Sequence, residues 1–336
     1  MARSASFSSR DIGIDLGTAN TLVYARGRGV VLNEPSVVAV DARSGRVLAV
    51  GREAKDAVGR TPGSITALRP LRDGVISDFD AAEGMVRQFM RRATRGRRRA
   101  PRVIVCVPSG VTDVERRAVL QTAARAGARS VHLIDEPMAA ALGAGLPVHE
   151  ARGSMVVDIG GGSTEIAVIS LGGVVTSRSV RVAGDALDAV IATHVEKEHS
   201  LAIGERTAEG IKTSLGRADT LAVRGRDKVT SMPEYVELAT AGVLEALEHP
   251  VREIVAAVTA TFDACPPELY ADIMERGIVL TGGGALLHGL DDRLVRETGM
   301  PVIVADDPLG CVALGTGLCL EDFERLHTSF SSTFVA

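Results

Sequence analysis

Residues 155–168 read MVVDIGGGSTEIAV: an apolar run, an aspartate, three glycines and a second apolar run. This order predicts a strand, a tight turn and a returning strand, with Asp158 near the tip of the resulting β-hairpin. Glycines let backbone N–H groups fold closely around an anion. An aspartate beside a phosphate would repel it unless a divalent cation lay between them. The stretch therefore predicts either a site for a magnesium nucleotide or a purely structural glycine hairpin.

A second copy of this pattern lies near the start of the chain, where residues 11–23 read DIGIDLGTANTLV. Asp15 holds the place of Asp158, and each is followed by an aliphatic residue and a glycine. Internal similarity of this kind indicates duplicated halves with a ligand between them. Because two facing hairpins can clamp one phosphate chain from both sides, the repetition favours the nucleotide site.

The composition is that of an ordinary globular protein large enough for two domains. Of its 336 residues, 46% are hydrophobic and 24% are charged, and the net charge is −4. The negative charge and the absence of tryptophan argue against a nucleic-acid partner. The four cysteines show no metal-ligand spacing, and no apolar run approaches 18 residues. Residues 1–10 lack the apolar core of a signal peptide and are expected to form a disordered lead-in.

Local signals place several helix starts. Asp80 with Glu83 is typical of a helix N-terminus, and Thr112 opens a capping-box pattern. Glu136 lies where the predicted strand 131–134 ends and a helix begins. Catalytic groups often occupy such junctions in α/β proteins, although a plain acid at a helix N-terminus fits the pattern equally well.

Further along, a third glycine turn, TGGGA at 281–285, follows the predicted strand 277–280. After the two Asp-glycine hairpins, this turn is a candidate surface for a flat ring or a phosphate. Residues 207–215 are predicted to be helical. The segment 63–74 is loop-like, and the segment 217–237 is polar with little apolar periodicity.

Five arginines, Arg95, Arg97, Arg98, Arg99 and Arg102, form the strongest charge run in the chain. A solvated loop accounts for such a run without any function. Contact with an anionic membrane surface is the functional alternative, because clustered arginines attract acidic lipids.

Several segments together resemble the actin-like ATPases. Their amino-acid sequences are similar to those of the MreB/Mbl bacterial cytoskeletal family, and the similarity covers about residues 10–325. The segments are DLGTANT at 15–21, LNEPSVVAV at 32–40, GRTPGSI at 59–65, VPSGVTDVERRA at 107–118, EPMAAALGAGLP at 136–147, DIGGGSTE at 158–165 and TGGGA at 281–285.

The resemblance implies an α/β actin-like fold. Two duplicated ribonuclease-H-like lobes, each with a smaller inserted subdomain, would enclose a nucleotide in a central cleft. The expected division is a lead-in at 1–10, subdomain IA at 11–32, 66–147 and 313–327, IB at 33–65, IIA at 148–181 and 240–312, IIB at 182–239, and a loose tail at 328–336.

The resemblance also implies a function. ATP, ADP and Mg²⁺ would be the cofactors, and a slow ATPase would be coupled to polymerisation of the protein into filaments. The filaments would lie in the cytoplasm against the inner face of the cell membrane and would organise peptidoglycan synthesis and cell shape. Partners would be further copies of the chain, membrane shape-determining proteins and wall-synthesis enzymes.

Site residues carry over from the family position by position. Asp15 and Asp158 would hold Mg²⁺ through waters, and Glu136 would orient the attacking water with the help of Ser163. The remaining residues would bind the nucleotide: Thr18, Ala19, Asn20, Gly160, Gly161 and Gly162 the terminal phosphates, Glu209, Gly210, Ile211 and Lys212 the ribose and base, and Gly282, Gly283, Gly284 and Ala285 the adenosine.

The sequence departs from the family pattern in four places. Ser163 replaces the hydrolytic threonine, Gly210 replaces a charged residue, and the segment 217–237 is shorter than usual. The arginine run stands where the family has an apolar membrane loop, and residues 1–10 show no amphipathic helix, so mainly electrostatic, salt-sensitive membrane attachment is expected.

Two rival functions remain. A nucleotide-binding scaffold with little hydrolysis is compatible with Ser163. A small-molecule kinase would need a substrate-binding acid near the γ-phosphate, and no comparable motif supplies one.

Overall fold

The computed structural model describes residues 11–59, 62–95, 100–326 and 330–335. Strands and helices alternate along the chain and build two lobes, each around its own sheet. Within the described residues the strands are β1 (Ile12–Leu16), β2 (Asn20–Ala25), β3 (Gly29–Pro35), β4 (Val38–Asp41), β5 (Val47–Val50), β6 (Ile65–Leu68), β7 (Leu71–Arg72), β8 (Val75–Ile76), β9 (Arg102–Val107), β10 (Ser130–Asp135), β11 (Ser154–Ile159), β12 (Thr164–Ser170), β13 (Gly173–Val180), β14 (Leu201–Ala202), β15 (Thr220–Asp227), β16 (Pro233–Ala239), β17 (Ile278–Thr281), β18 (Val302–Val304) and β19 (Phe330–Val335).

The helices connect these strands and cover their faces. They are α1 (Arg52–Ala57), α2 (Phe79–Ala93), α3 (Asp113–Arg125), α4 (Glu136–Gly143), α5 (Gly184–His199), α6 (Glu205–Ser214), α7 (Thr240–Ala246), α8 (Glu248–Asp263), α9 (Pro267–Arg276), α10 (Leu290–Thr298), α11 (Cys311–Glu321) and α12 (Phe323–Leu326), and a 3₁₀ turn spans Gly283–Leu286.

The two lobes repeat one sheet plan. The first has the strand order β19-β10-β9-β1-β2-β3, and the second has the order β13-β12-β11-β17-β18. In each, an antiparallel hairpin, β1–β2 or β11–β12, joins a parallel strand on its other side, β9 or β17. A small three-stranded sheet belongs to each lobe, β5-β4-β6 in the first and β14-β15-β16 in the second. The duplication predicted from the two hairpins therefore extends over whole sheets.

The cores explain why these strands are so apolar. Every residue of β9, β11 and β12 is buried, because helices cover both faces of each large sheet. One apolar cluster fills each lobe. A third cluster joins the lobes around α4 and contains Ile104, Met138, Val156, Ile169 and Val312.

Helices α4 and α11 cross at very close range beneath the two hairpins. A Cβ on Gly143 would stand 1.8 Å from the carbonyl oxygen of Cys311, and a Cβ on Gly315 would stand 1.8 Å from that of Ala139. Only glycine permits this approach, so the two backbones are in direct contact.

The predicted helix starts are partly confirmed. Thr112 forms the complete capping box with Glu115 at the start of α3, and Glu136 follows β10 directly as the first residue of α4. The start of α2 differs, because Asp78 rather than Asp80 accepts the N–H of Ala81, at 3.0 Å. An aspartate in extended conformation just before the helix satisfies this free N–H, whereas Asp80 already lies in the first turn.

Three segments contain more regular structure than the sequence predicted. The loop-like segment 63–74 contains β6 and β7, and the polar segment 217–237 contains most of the antiparallel pair β15–β16. The expectation of a loose tail is wrong for residues 330–335, because β19 pairs antiparallel with β10. β19 and β6 are stabilised by pairing with the more distant strands β10 and β4, whereas β7 and β15 pair with the neighbouring strands β8 and β16. The local apolar periodicity of these segments reveals neither kind of pairing. The predicted lead-in, residues 1–10, lies outside the described residues.

Arg102 differs from the rest of the arginine run because it is buried in a strand. It is the first residue of β9, is 8% exposed, and its guanidinium carbon lies 4.7 Å from the centroid of the Phe323 ring. Its main-chain N–H donates to a carboxylate oxygen of Asp11 at 3.0 Å. A buried residue of this kind cannot contact a membrane surface, so that prediction is wrong for Arg102. Arg97, Arg98 and Arg99 lie outside the described residues.

Across the described ranges, every helix falls short of the length and apolar character needed to cross a bilayer.

Candidate functional site

A deep cleft of about 620 Å³ opens between the two lobes. The two Asp-glycine hairpins face each other across its floor, with Asp15 on the first lobe and Asp158 on the second. The size is that of a site for a small-molecule ligand. Most of the predicted site residues meet here: Asp15, Ala19, Asn20, Glu136, Asp158, Gly160, Gly161, Ser163, Glu209, Lys212, Gly282, Gly283 and Gly284.

The remaining predicted residues do not line the cleft. The Thr18 hydroxyl accepts the N–H of Gly74 at 2.9 Å and so holds a loop rather than facing the cavity. Gly162 lies against Thr18, while Gly210 is exposed on the far side of its helix. Ile211 and Ala285 are buried in the core of the second lobe. Burial in this apolar core keeps the side chains of Ile211 and Ala285 away from a ligand in the cleft.

Gly161 and Gly162 of the second hairpin lie so close to the first hairpin that a larger residue would collide with it. A Cβ on Gly161 would stand 2.7 Å from Cβ of Ala19, and a Cβ on Gly162 would stand 2.6 Å from the Thr18 hydroxyl oxygen. The tips of the two hairpins are therefore in contact. A bulky anion entering the cleft would meet backbone from both lobes at this point.

The third glycine turn serves packing as well as access. A Cβ on Gly282, whose φ is +77°, would stand 2.4 Å from the carbonyl oxygen of Ile159, and a Cβ on Gly284 would stand 2.2 Å from Cγ2 of the same residue. These glycines allow the turn to lie directly on β11. Gly283 remains free of backbone contact and faces Leu309 across the cleft wall.

Three carboxyl groups gather on the cleft floor: Asp15 and Asp158 are buried, and Glu136 is half-buried. Burial, and then the charge of Asp158, raises the pKa of Asp15 to about 7. Burial raises the pKa of Asp158 to about 6, although the Thr281 hydroxyl donates to its Oδ1 at 2.6 Å and opposes the shift. Burial raises the pKa of Glu136 well above its usual range, and Asp158, Glu165 and Asp15 add to the effect.

This acidic floor suits a hydrated divalent cation. Groups of three or more metal-ligating side chains are absent from the described ranges, so a fully protein-built metal cage is not present there. Mg²⁺ keeps several waters and is usually held by one or two carboxylates together with substrate phosphates. Asp15 and Asp158 fit that requirement, because a cation between them would offset the cost of burying two negative charges.

Helix α6 forms one wall of the cleft. Lys212 donates to the carbonyl oxygen of Gly184 and forms an ion pair with Asp188, each at 2.9 Å. Glu209 forms an ion pair with the ammonium group of Lys55, which belongs to the other lobe, also at 2.9 Å. Burial alone would raise the pKa of Glu209, but its hydrogen bond to Lys55 and the nearby positive charges outweigh burial and lower it.

Three ion pairs between α6 and the first lobe bridge the mouth of the cleft. Lys55 pairs with Glu209, and Arg69 pairs with Glu205 at 3.1 Å. The third pair joins Asp56 to Arg206 at 3.7 Å, and both of its side chains are mostly exposed. No local motif in the sequence signals these bridges, because the partners lie 136 to 154 positions apart.

Other lining residues were also missed. Another part of the cleft wall contains apolar and cationic side chains whose place in the cleft depends on tertiary structure. They are Leu215, Arg217, Leu286, Leu287 and Leu309. Among them, only Leu286 and Leu287 follow a glycine turn in the sequence.

Two lobes of duplicated plan, closed by facing Asp-glycine hairpins over one cleft, define an actin-like protein with a site fitted to a nucleotide. Solved structures support this class. The chain matches MreB5 of Spiroplasma citri bound to ADP with a TM-score of 0.89 and 36% identity, covering 94% of this chain and 98% of that one. The same protein bound to AMPPNP gives a TM-score of 0.86 at 35% identity, covering 94% and 97%. The MamK double helical filament shares the fold, with a TM-score of 0.80 and 23% identity over 93% and 98%.

The chain belongs to the MreB/Mbl family. The sequence model of the MreB/Mbl protein matches residues 9–328. The cell shape-determining protein MreB of Escherichia coli K12 is 55% identical over 325 residues, covering 93% of this chain and 94% of that protein. The cell shape-determining protein Mbl of Bacillus cereus is 48% identical over 325 residues, covering 95% and 98%. The predicted family and fold are confirmed.

Proposed function

We propose that this protein binds ATP or ADP with Mg²⁺ in the interlobe cleft and polymerises into filaments, with slow hydrolysis coupled to assembly. The observation that carries the proposal is the convergence of Asp15, Asp158 and two glycine hairpins on one cavity of about 620 Å³. Relatives named for cell-shape determination and a relative bound to ADP and AMPPNP support it.

The proposed roles follow the placement of the residues. Asp15 and Asp158 hold Mg²⁺ through waters, and the two hairpin backbones hold the terminal phosphates. Glu209 and Lys212 face the ribose and base, while Gly283 and its neighbours lie beneath the adenosine. Glu136 and Ser163 position the attacking water, because phosphoryl transfer depends on positioning and charge neutralisation rather than on covalent chemistry.

Electron microscopy of the purified protein with Mg²⁺ and either AMPPNP, ADP or no nucleotide tests the proposal. Filaments that depend on nucleotide are expected. The proposal fails if the protein binds neither nucleotide in titration calorimetry, or if filaments form equally well without nucleotide.

A nucleotide-binding scaffold with little hydrolysis is the second candidate. It is favoured by Ser163, which supplies a hydroxyl without the methyl group of threonine. Phosphate release under polymerising conditions separates the two functions: wild-type release no faster than that of a Glu136 variant would favour the scaffold.

The cellular setting forms part of the same proposal. Filaments at the inner face of the cell membrane would organise peptidoglycan synthesis, together with membrane shape-determining and wall-synthesis proteins. The four-subdomain division given above also stands as a proposal, with 330–335 joined to the first lobe through β10.

Membrane attachment is proposed to be electrostatic, through Arg95 and Arg97–Arg99. Sedimentation with liposomes should show binding to vesicles containing acidic lipid at low salt, and loss of binding at about 0.5 M salt, where charges beyond a few ångströms are screened. Replacing Arg97, Arg98 and Arg99 with serine should abolish binding, whereas Arg102→Lys should leave it unchanged. Equal binding to neutral and anionic vesicles at high salt would rule out this mode of attachment.

The ion pairs at the cleft mouth lead to a kinetic prediction. Lys55→Met should speed dissociation of a fluorescent ADP analogue by about two- to fivefold, because a partly exposed ion pair contributes under about 1 kcal/mol. The effect should shrink at high salt. Arg206→Met is the matched control, since its pair with Asp56 is long and exposed, and it should leave the rate unchanged. Identical rates for wild type and Lys55→Met at low salt would show that the bridge does not retain nucleotide.

A further inference from the structure

Glu165 is fully buried, and the function proposed above assigns it no role. In the sheet of the second lobe, Glu165 lies directly opposite Asp158 on one side and Ser179 on the other. Thr281 completes this row beyond Asp158. Cross-strand partners project from the same face of a sheet, so the row Thr281–Asp158–Glu165–Ser179 faces the first lobe together. Glu165 does not itself line the cleft.

The duplicated half shows that the fold does not require a carboxylate here. In the first lobe, the residue opposite Asp15 is Leu22, which in turn is opposite Asn33. Leu22 is buried like its counterpart. An apolar side chain therefore satisfies the same position of the hairpin in one half, whereas the other half carries a buried carboxyl group. Burying a carboxylate is costly unless strong hydrogen bonds compensate it, so its presence calls for a specific partner.

That partner comes from the opposite lobe. Glu165 accepts the main-chain N–H of Ser109 at 3.0 Å and the hydroxyl of Ser179 at 2.5 Å. Ser109 belongs to the turn that follows β9, and Ser179 belongs to β13 of the second lobe. The turn lies close against β13, since a Cβ on Gly110 would stand 3.3 Å from Cβ of Ser179. One carboxylate thus joins a first-lobe turn to two second-lobe strands.

The joined turn carries part of the cleft wall. Pro108 precedes Ser109 and lines the cleft beside Ser163. Both meet at Gly74, where an added Cβ would stand 2.7 Å from Cγ of Pro108 and 3.2 Å from the Ser163 hydroxyl oxygen. Any movement of the Ser109 turn away from Glu165 therefore changes the space around the Ser163 hydroxyl.

We propose that Glu165 is a positioning residue for hydrolysis, which ties the Pro108–Gly110 turn of the first lobe to the second lobe and thereby fixes the water-holding space between Ser163 and Glu136. The inference rests on the proposed hydrolytic function. It assigns Glu165 no contact with nucleotide, so its loss should lower the hydrolysis rate more than it weakens nucleotide binding.

Two variants at position 165 separate the effect of the hydrogen bonds from the effect of the negative charge. Glu165→Gln retains one acceptor for the Ser109 N–H, and its amide can donate to the Ser179 oxygen. Glu165→Leu installs the residue found at the matching position of the first lobe. Asp11→Leu is the control, because Asp11 is another buried carboxylate that accepts a main-chain N–H, from Arg102 at 3.0 Å, but lies away from the cleft.

The expected result is a split between binding and turnover. Glu165→Leu should lower the maximal rate of phosphate release by about tenfold to a hundredfold, since small misplacements of a reacting group are that costly. Its affinity for ADP and AMPPNP should stay within about threefold of wild type, and Glu165→Gln should restore most of the rate. Asp11→Leu should leave the rate unchanged. If Glu165→Leu does not fold, Ser179→Ala replaces it, with an expected loss of about threefold.

Hydrogen exchange at the Ser109 amide provides a readout independent of hydrolysis. The amide should exchange at least about tenfold faster in Glu165→Leu than in wild type, and Glu165→Gln should stay close to wild type. Unchanged exchange in Glu165→Leu would overturn the tie between the lobes. Faster exchange with an undiminished hydrolysis rate would overturn the positioning role. If wild type releases no phosphate, the hydrolytic function fails, and the amide measurement alone decides whether the tie exists.

Discussion

Glu136→Gln is expected to lower the rate of phosphate release by about a hundredfold to ten-thousandfold, the range typical of a lost group that handles a proton in the transition state. Glu136 is the first residue of α4 and faces the cleft between the two hairpin aspartates. Glutamine keeps the shape of the side chain but cannot accept the proton of the attacking water. Affinity for ADP and AMPPNP should change by less than about threefold, because Glu136 is assigned no contact with the ground-state nucleotide.

Single-turnover phosphate release and calorimetric titration measure these two quantities separately. Asp135→Asn is a close control, since Asp135 is the preceding residue and pairs with Arg116 outside the cleft, at 3.3 Å. Its phosphate release should match that of wild type. A Glu136→Gln protein that hydrolyses ATP at the wild-type rate would remove Glu136 from the mechanism.

Asp15→Asn is expected to stabilise the nucleotide-free protein while abolishing its binding of Mg-nucleotide. Burial and the charge of Asp158 raise the pKa of Asp15 from 3.8 to about 7 in the folded state. Between these two pH values the folded protein keeps a proton that the unfolded chain has released. Stability from this group is therefore fully present below about pH 4 and falls as the pH rises to about 7. The difference between the two pKa values corresponds to up to about 4 kcal/mol at pH 8.

Urea unfolding without nucleotide, at pH 4.5 and pH 8, measures the effect. The free energy of unfolding of Asp15→Asn should exceed that of wild type at pH 8 and approach it at pH 4.5. Affinity for Mg-ADP should fall by at least about a hundredfold, because a neutral amide does not hold the hydrated cation. Asp41→Asn is the control, since hydrogen bonds from Ser44 lower the pKa of Asp41 and removing its charge should not stabilise the protein. A destabilised Asp15→Asn at pH 8 would contradict the burial cost.

The features predicted correctly from the sequence are those that a few neighbouring residues determine. The two Asp-glycine hairpins, the capping box at Thr112 and the strand–helix junction at Glu136 each depend on local turn or cap chemistry. Hydrophobic alternation on either side of the glycines was enough to place Asp15 and Asp158 on hairpin strands. Their meeting across one cleft followed from the duplication.

The missed features depend on contacts between distant parts of the chain. Lys55 lies near Glu209 only after both lobes have folded. Glu165 followed the glycine motif in the sequence, yet nothing local distinguished it from a strand residue facing solvent. The family resemblance predicts Ile211 as a nucleotide-binding residue together with Glu209 and Lys212, but the helical repeat turns the Ile211 side chain into the core.

The crossing of α4 and α11 has a mechanical consequence. Because the two backbones touch at two places, Gly143 against Cys311 and Gly315 against Ala139, sliding one helix along the other would bring main-chain atoms into collision. Because α4 also packs against β11 and β12 of the second lobe, we expect the cleft to open and close by rotation about α4 rather than by translation. Glu136 lies two turns from Gly143 on the same helix. A small rotation of α4 would therefore redirect the carboxyl group of Glu136 within the cavity.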